Sequence, residues 1–485
     1  MTTLHADACV IGSGAGGGPV ARELAEGGMK VVVLEEGRRF AAEELNARPR
    51  QMMPLLYRDA GQTVTQGNVP IVLPLGRGVG GTTLVNSGTC FRTPDPVLER
   101  WGVDHGLEGL APERMRPHFE HVERETGVAK VTPELAGKNA EVVRRGAEAL
   151  GWSGDYLERN ARGCRGSAVC AFGCPTGAKQ HAGQVWVAAA EKAGARTITW
   201  AKARKIVTRG GRARGVHARL EGGGRLEVEA DVTVVACGAV HTPLLLRRNR
   251  LGTHSGELGR NLAIHPCTAV RAVFDEEVGM ADGVPQSYFV DEFASEGIML
   301  EGAGGPPDYL AAGMPFSGER LRELMLRFGQ LSQFGVMVSD RSRGEVSELA
   351  GRARIRYHLS DDDLARVRRG VELLTELYWA AGARTVLQPV TGVPPLHDGD
   401  AGPLAAGRDP LARDFTLMAF HPLGTARADR DPRRGVVDGD LRLHGLDGLY
   451  VSDASVIPSA LGVNPQITIM ALARRLGCHL LGEPV

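Results

Sequence analysis

Three glycines at Gly12, Gly14 and Gly17, within Gly12-Ser-Gly14-Ala-Gly16-Gly17, have the spacing that holds a dinucleotide. Gly12 permits a tight turn, Gly14 lets the backbone approach a pyrophosphate, and Gly17 lets a helix pack closely on a strand. A helix starting there aims free N–H groups and a positive dipole end at phosphate. The elements that must carry such a turn are readable on both sides. Residues 8–11 are apolar and predict a strand, residues 19–26 suit a helix, and residues 30–34 predict a second strand that ends at Glu35. Glu35 lies eighteen residues beyond Gly17, where an acid accepts hydrogen bonds from a ribose hydroxyl. It favours an unphosphorylated adenosine ribose, as in NAD or FAD, without choosing between them.

Composition narrows the classes. The 485 residues predict about two to three domains. Lys plus Arg (57) balance Asp plus Glu (57), which removes the electrostatic argument for a nucleic-acid partner. Glycine is abundant, 65 of 485, while apolar residues make up 43%, so the glycines belong to a folded chain with tight turns or close ligand approach. Five of the eight cysteines are widely scattered, which is no disulfide scaffold. No basic segment followed by an apolar stretch opens the chain, and the most apolar candidate span, residues 232–246, contains His241 and Pro243. The expectation is a cytoplasmic protein without a transmembrane segment and with reduced thiols.

A second glycine block contains Gly76, Arg77, Gly80, Gly81, Thr82, Thr83 and Asn86. Its freed amides, small hydroxyls and asparagine suit a second stretch of phosphate or the edge of a polar ring. With this block the chain resembles the glucose-methanol-choline family of FAD-dependent oxidoreductases, in which Gly-Arg-x-x-Gly-Gly-[Gly/Ser/Thr]-[Ser/Thr]-x-x-Asn covers the flavin. The resemblance continues at residues 238–252, although Asn249-Arg250 stands where Ser-Gly is usual, and again near the carboxyl end. It implies an α/β fold: a Rossmann-like FAD-binding domain joined to an α+β substrate-binding domain. It also implies FAD as cofactor. Some relatives attach the flavin through a histidine in the glycine block, but residues 71–95 contain none, so a noncovalent flavin is expected.

The same resemblance implies the reacting pair. His421, in Phe420-His421-Pro422-Leu423-Gly424-Thr425, and Asn464, in Asn464-Pro465-Gln466, match a family His/Asn pair found in steroid-oxidising and choline-oxidising members. An imidazole with a reference pKa of about 6.5 suits removal of an alcohol proton while the carbinol carbon gives hydride to flavin N5. Asn464 would orient the oxygen. Asp453 is similar to the acid that bonds the ribityl chain, and Pro465 and Gln466 open a helix whose start would stabilise a negatively charged reduced ring.

Cys164, Cys170 and Cys174 form a local cluster. Three thiols are enough for an incomplete iron–sulfur cluster and too few for a four-cysteine zinc site unless a histidine such as His181 joins. Packing alone or a local disulfide are the other readings. Cluster-bearing glucose dehydrogenases of the family have a comparable spacing, and Cys170-Ala-Phe-Gly-Cys174-Pro-Thr-Gly-Ala-Lys-Gln is closer still to long-chain alcohol oxidases and bacterial relatives.

The expected FAD domain is discontinuous, residues 1–100, 196–265 and 430–485, with residues 101–195 and 266–429 building the substrate domain. Leu321, Leu324, Met325, Phe328 and Leu331 predict one helix, and residues 360–382, starting Ser360-Asp-Asp-Asp363, predict another. Residues 388–410 predict a loop near the pocket mouth or a plain connector. The expected activity is oxidation of an apolar or sterol-like alcohol to aldehyde or ketone, with oxygen, a quinone or a redox protein as electron acceptor. A flavin-containing non-redox lyase and a sugar dehydrogenase with an iron–sulfur cluster are the alternatives.

Overall fold

The computed structural model describes residues 2–397, 400 and 409–483. Five parallel strands form the nucleotide-side sheet, in the order Leu449–Val451, Val232–Val235, Ala8–Ile11, Val31–Leu34 and Arg196–Ile198. Ala8–Ile11 is buried along its whole length, as a central parallel strand covered on both faces must be. The chain then turns at Gly12 into helix Gly17–Glu26 and returns as Val31–Leu34, so strand, turn, helix and strand follow in the expected order. Helix Gln466–Leu480 packs beside Gly17–Glu26. It runs past Gly477 to Leu480. Gly477 serves as a packing position, where an added Cβ would meet the Glu23 Cβ at 2.5 Å.

A four-stranded sheet, Thr2–His5, Arg225–Glu229, Arg212–Leu220 and Ala201–Arg209, stands beside the first. Asn249 explains how the chain tolerates its departure at 249–250. Its Nδ2 caps the Leu245 carbonyl at 2.8 Å and its Oδ1 accepts from the Ile206 N–H at 3.0 Å, tying helix Gly238–Arg248 to that sheet.

The second layer is a largely antiparallel sheet, whose central run is Thr385–Leu387, Cys267–Val273, Leu331–Val338, Ile298–Gly302 and Tyr288–Val290. Helix Asp361–Ala380 covers it, and Gly370 allows the contact, since a Cβ there would lie 2.2 Å from Val336. Ser360 caps this helix by accepting from the Asp363 N–H, as its acidic start predicts. The other predicted helix is shorter than expected: Gly318–Leu326 is helical, and Leu331 instead opens a strand paired with Cys267–Val273. The repeat at 321–331 straddles two elements because a single-turn 3-10 segment, Phe328–Gln330, joins them. Each sheet has its own buried apolar core. Trp101, Met115, Phe119 and Val122 belong to the nucleotide-side core, which therefore reaches past the expected boundary at residue 100. Of the loop at 388–410, residues 398–399 and 401–408 lie outside the described residues. Among the described residues no helix is long and apolar enough to cross a membrane.

Candidate active site

At the nucleotide end the backbone does most of the work. Gly12 takes φ 106°, where a Cβ would lie 2.2 Å from the Ala236 carbonyl oxygen, and a Cβ on Gly17 would lie 1.9 Å from the Gly12 oxygen. Gly16, given no separate role by the sequence, is as tight: a Cβ there would stand 1.7 Å from the Ser452 oxygen. Gly14 faces the second glycine block, its Cβ position 3.7 Å from the Gly81 Cα. Ser13 links the two turns, accepting from the Gly80 N–H at 3.2 Å and donating its hydroxyl to Glu35 at 2.6 Å. Glu35 also accepts from the Gly37 N–H at 2.8 Å, and burial raises its carboxyl pKa against those bonds. Arg58, close enough to Glu35 to favour its charge, keeps a buried Nε without a hydrogen-bond partner, and the nearby His241 keeps an unpartnered Nε2.

The structure brings the remaining expected cofactor residues around the same strip. Asp453 accepts from the Gly238 N–H at 2.9 Å, the Thr242 hydroxyl at 2.5 Å and the Ser455 N–H at 2.8 Å, which joins the 238–252 segment to the carboxyl-terminal block. Arg77 is exposed above the Trp200 ring. Thr82 accepts from the Gly76 N–H at 3.2 Å. Thr83 is turned into the protein, donating to the Gly80 carbonyl at 2.6 Å and accepting from the Ala182 N–H at 2.9 Å. Asn86 donates to Gln466 at 2.9 Å while its buried Oδ1 lacks a partner. Gln466 spends its own N–H groups on the Thr89 carbonyl and Asn160. Pro465 caps helix Gln466–Leu480, one position before its first turn.

His421 and Asn464 are brought together. Leu423 and Ala263 exchange backbone hydrogen bonds, which lays residues 421–424 beside 261–265, and Asn464 enters from the start of the last helix. His421 Nε2 lies 3.5 Å from Asn464 Nδ2. Burial lowers the His421 pKa to about 4, so the ring is neutral at ordinary pH. Two further titratable side chains stand beside the pair. His265 Nδ1 is 3.2 Å from His421 Nδ1, and Glu301 Oε2 accepts from Asn464 Nδ2 at 3.4 Å. Neither is singled out by the sequence. Glu301 carried a signal, a carboxylate inside the otherwise apolar strand Ile298–Gly302, whereas His265 had none beyond its type.

The cysteine segment clamps the second glycine block. Lys179, 2% exposed, donates to the carbonyls of Leu84 (2.9 Å), Asn86 (2.6 Å) and Cys170 (2.8 Å). Arg159 donates to the Ser87 carbonyl and, at 3.2 Å, to the Cys170 sulfur. Cys164, Cys170 and Cys174 share a small pocket with these two cations, and all eight cysteines are free thiols, so the disulfide reading is corrected. Among the described residues no group of three or more His, Cys, Asp or Glu side chains converges as metal ligands would. The tentative cluster expectation for Cys164, Cys170 and Cys174 thus gains no geometric support: Cys164 and Cys170 face the buried Arg159 guanidinium, and the Cys174 sulfur lies 3.4 Å from the Thr176 hydroxyl.

Comparisons with known proteins identify the family and the fold. Residues 53–267 and 340–473 match the amino- and carboxyl-terminal models of the GMC oxidoreductase family. An uncharacterized GMC-type oxidoreductase of Mycobacterium tuberculosis is 44% identical over 478 residues, covering 97% of this chain and 75% of the relative. A long-chain-alcohol oxidase of Arabidopsis thaliana is 30% identical over 507 residues, covering 97% of this chain and 66% of the relative. Among solved structures, pyridoxine 4-oxidase from Mesorbium loti superposes with a TM-score of 0.76 at 19% identity, covering 99% of this chain and 100% of that one. The chain belongs to the GMC oxidoreductase family and has its fold. It is an oxidoreductase, and FAD is the cofactor of the family. The residues present fit that group, with facing glycine turns, a buried acid at the second strand's end and unpartnered Asn86, Arg58 and His241 atoms along the way.

Proposed function

We propose that this GMC oxidoreductase oxidises an alcohol to an aldehyde or ketone at the site formed by His421 and Asn464. The observation that carries the reading is the approach of His421 Nε2 to within 3.5 Å of the amide of the buried Asn464, at the start of the last helix. Bound FAD supplies the hydride acceptor. Gly12, Gly14, Gly17, Glu35, Gly80, Gly81, Asn86 and Asp453 hold it along the strip described above, without a covalent bond to protein. His421 and Asn464 grip the alcohol oxygen, fixing the carbinol C–H in direction; such positioning of a reacting pair supplies a large share of rate enhancement. The helix start at Pro465 adds a positive dipole end near the reacting atoms.

An apolar or sterol-like alcohol is the proposed substrate, a reading supported by the similarity to a long-chain-alcohol oxidase and by the His/Asn pair. Oxygen, a quinone or a redox protein takes the electrons onward, and the cytoplasm is the proposed location. The nucleotide-side sheet with its flanking segments forms the proposed FAD domain, and the antiparallel sheet the substrate domain. The test is a screen of primary and secondary alcohols under anaerobic conditions. One carbonyl product per flavin bleached is expected; a substrate cleaved while the flavin stays oxidised would replace oxidation with lyase chemistry.

A further inference from the structure

The hydrogen bonds of His265 decide which nitrogen of His421 carries a proton. His265 is fully buried and takes φ 51°, a positive value that few non-glycine residues adopt. Asp340 holds it there, accepting from the His265 N–H at 3.1 Å and the Ile264 N–H at 3.0 Å, and is itself bonded by the Tyr357 hydroxyl at 2.7 Å. In this pose His265 Nε2 accepts two backbone N–H groups, from Leu461 at 3.0 Å and Gly462 at 3.2 Å. A ring nitrogen that accepts has no proton, so neutral His265 carries its proton on Nδ1. That N–H points at His421 Nδ1, 3.2 Å away, which must then accept. The proton of neutral His421 is left on Nε2; Asn464 Nδ2, also a donor and 3.5 Å away, then makes no hydrogen bond to this ring and spends its N–H on Glu301. The opposite arrangement would set an N–H of His265 against two other N–H groups, leaving buried donors unsatisfied.

An Nε2 that already bears a proton has no lone pair for the proton of an alcohol. Glu301 does have acceptor capacity. Its Oε2 receives only the Asn464 amide, and its Oε1 is buried with no hydrogen-bond partner.

We propose that His265 is a positioning residue that fixes His421 as a hydrogen-bond donor to the substrate oxygen, and that Glu301 receives the hydroxyl proton. The proposal rests on the alcohol-oxidising reading above. In the step, the O–H bond breaks and its proton passes to Glu301. The C–H bond breaks with its electron pair, which leaves with the hydrogen as hydride to the isoalloxazine, and a C=O bond forms. The Nε2–H stays on His421 throughout, bonded first to the hydroxyl and then to the carbonyl oxygen, where a fixed donor favours developing negative charge.

Two measurements on the full flavin-loaded chain test it. In ¹⁵N–¹H correlation spectra of histidine-labelled protein, His421 is expected to show a protonated Nε2 and a bare Nδ1. H265Q, whose amide offers an acceptor to Leu461 and Gly462 and a donor to His421, should keep that pattern; H265L should release it. A bare Nε2 on His421 in the unsubstituted protein overturns the tautomer assignment. Anaerobic reduction by a panel of apolar primary and secondary alcohols, sterols included, at about pH 8 should produce a carboxylic-acid C=O band in infrared difference spectra. The band should shift with ¹³C-glutamate labelling and be missing in E301Q. That variant should reduce its flavin about a hundredfold more slowly at normal flavin content. An unlabelled-like spectrum, or an unchanged rate in E301Q, overturns the role of Glu301. If no alcohol on the panel bleaches either protein, the alcohol reading falls, and the histidine spectra still decide the tautomer.

Discussion

The two ends of the site are built by opposite means. At the nucleotide end the working groups are backbone N–H and C=O groups exposed by glycines a few residues apart, and at Gly12, Gly16 and Gly17 the tolerance is set by a carbonyl oxygen less than 2.5 Å from an added Cβ. At the reacting end the working groups are four side chains, His265, Glu301, His421 and Asn464, drawn from distant parts of the chain and held at 3.2–3.5 Å from one another. The first is a property of local chain shape, whereas the second exists only after two sheets have packed. Substitutions should therefore fail differently: by loss of the folded, flavin-loaded protein at one end, and by loss of chemistry in an intact flavoprotein at the other.

The largest contrast is expected from Gly16→Val. Its side chain would have to displace the Ser452 carbonyl, which sits 1.7 Å from the Cβ position, so soluble protein with a flavin absorption band should be absent. Absorbance near 450 nm relative to 280 nm, together with soluble yield, reads the outcome. Asn464→Leu, by contrast, should leave that ratio unchanged while slowing anaerobic flavin reduction by about a hundredfold, the usual cost of one lost polar contact to a reacting oxygen. A smaller effect should come from Lys179→Met between the two ends. Its ammonium satisfies three buried carbonyls, and leaving these unpaired should cost about 3 kcal/mol of stability in denaturant unfolding.

The last contrast is a pH dependence. Burial holds the Glu301 carboxyl up to about 7, against a usual 4.5. Because the folded value is raised, the folded state keeps this proton where the unfolded chain loses it. The stabilisation is complete below pH 4.5 and is lost as pH rises to about 7. Asp340, raised to about 6, tilts stability the same way; His421, lowered from 6.5 to about 4, tilts it the opposite way between those two values, and Cys267, pushed far up by burial, titrates above the window. The difference between the unsubstituted protein and Glu301→Gln isolates the one carboxyl. The variant should gain relative stability across pH 4.5 to 7, and the unsubstituted enzyme should gain rate over the approach to pH 7, about tenfold per unit. A rate limb near pH 4 would return the proton to His421.

This contrast also explains what could be read without a structure. The turn at Gly12–Gly17, the acid Glu35 and the helix beginning at Ser360 follow from spacing, because each is settled within one strand–turn–helix or one cap. The helix expected at 321–331 was half right, since apolar spacing does not reveal that Leu331 pairs with Val273 across a sheet. His421 and Asn464 were found through resemblance. His265 was not, because its role depends on the hydrogen bonds that Leu461 and Gly462 bring to it from almost two hundred residues away. Lys179 lay in view beside Cys174, yet its task, capping three carbonyls, is invisible until the chain folds over the glycine block.

The most direct test of the account is anaerobic mixing of the flavin-loaded protein, and of its His421→Ala variant, with the alcohol that reduces it best. The account predicts that the flavin band of the unsubstituted protein bleaches while the variant, with equal flavin content, bleaches about a hundredfold more slowly or stays yellow. A variant that bleaches at the unsubstituted rate would contradict it, as would a protein whose flavin is bleached by dithionite and by no alcohol.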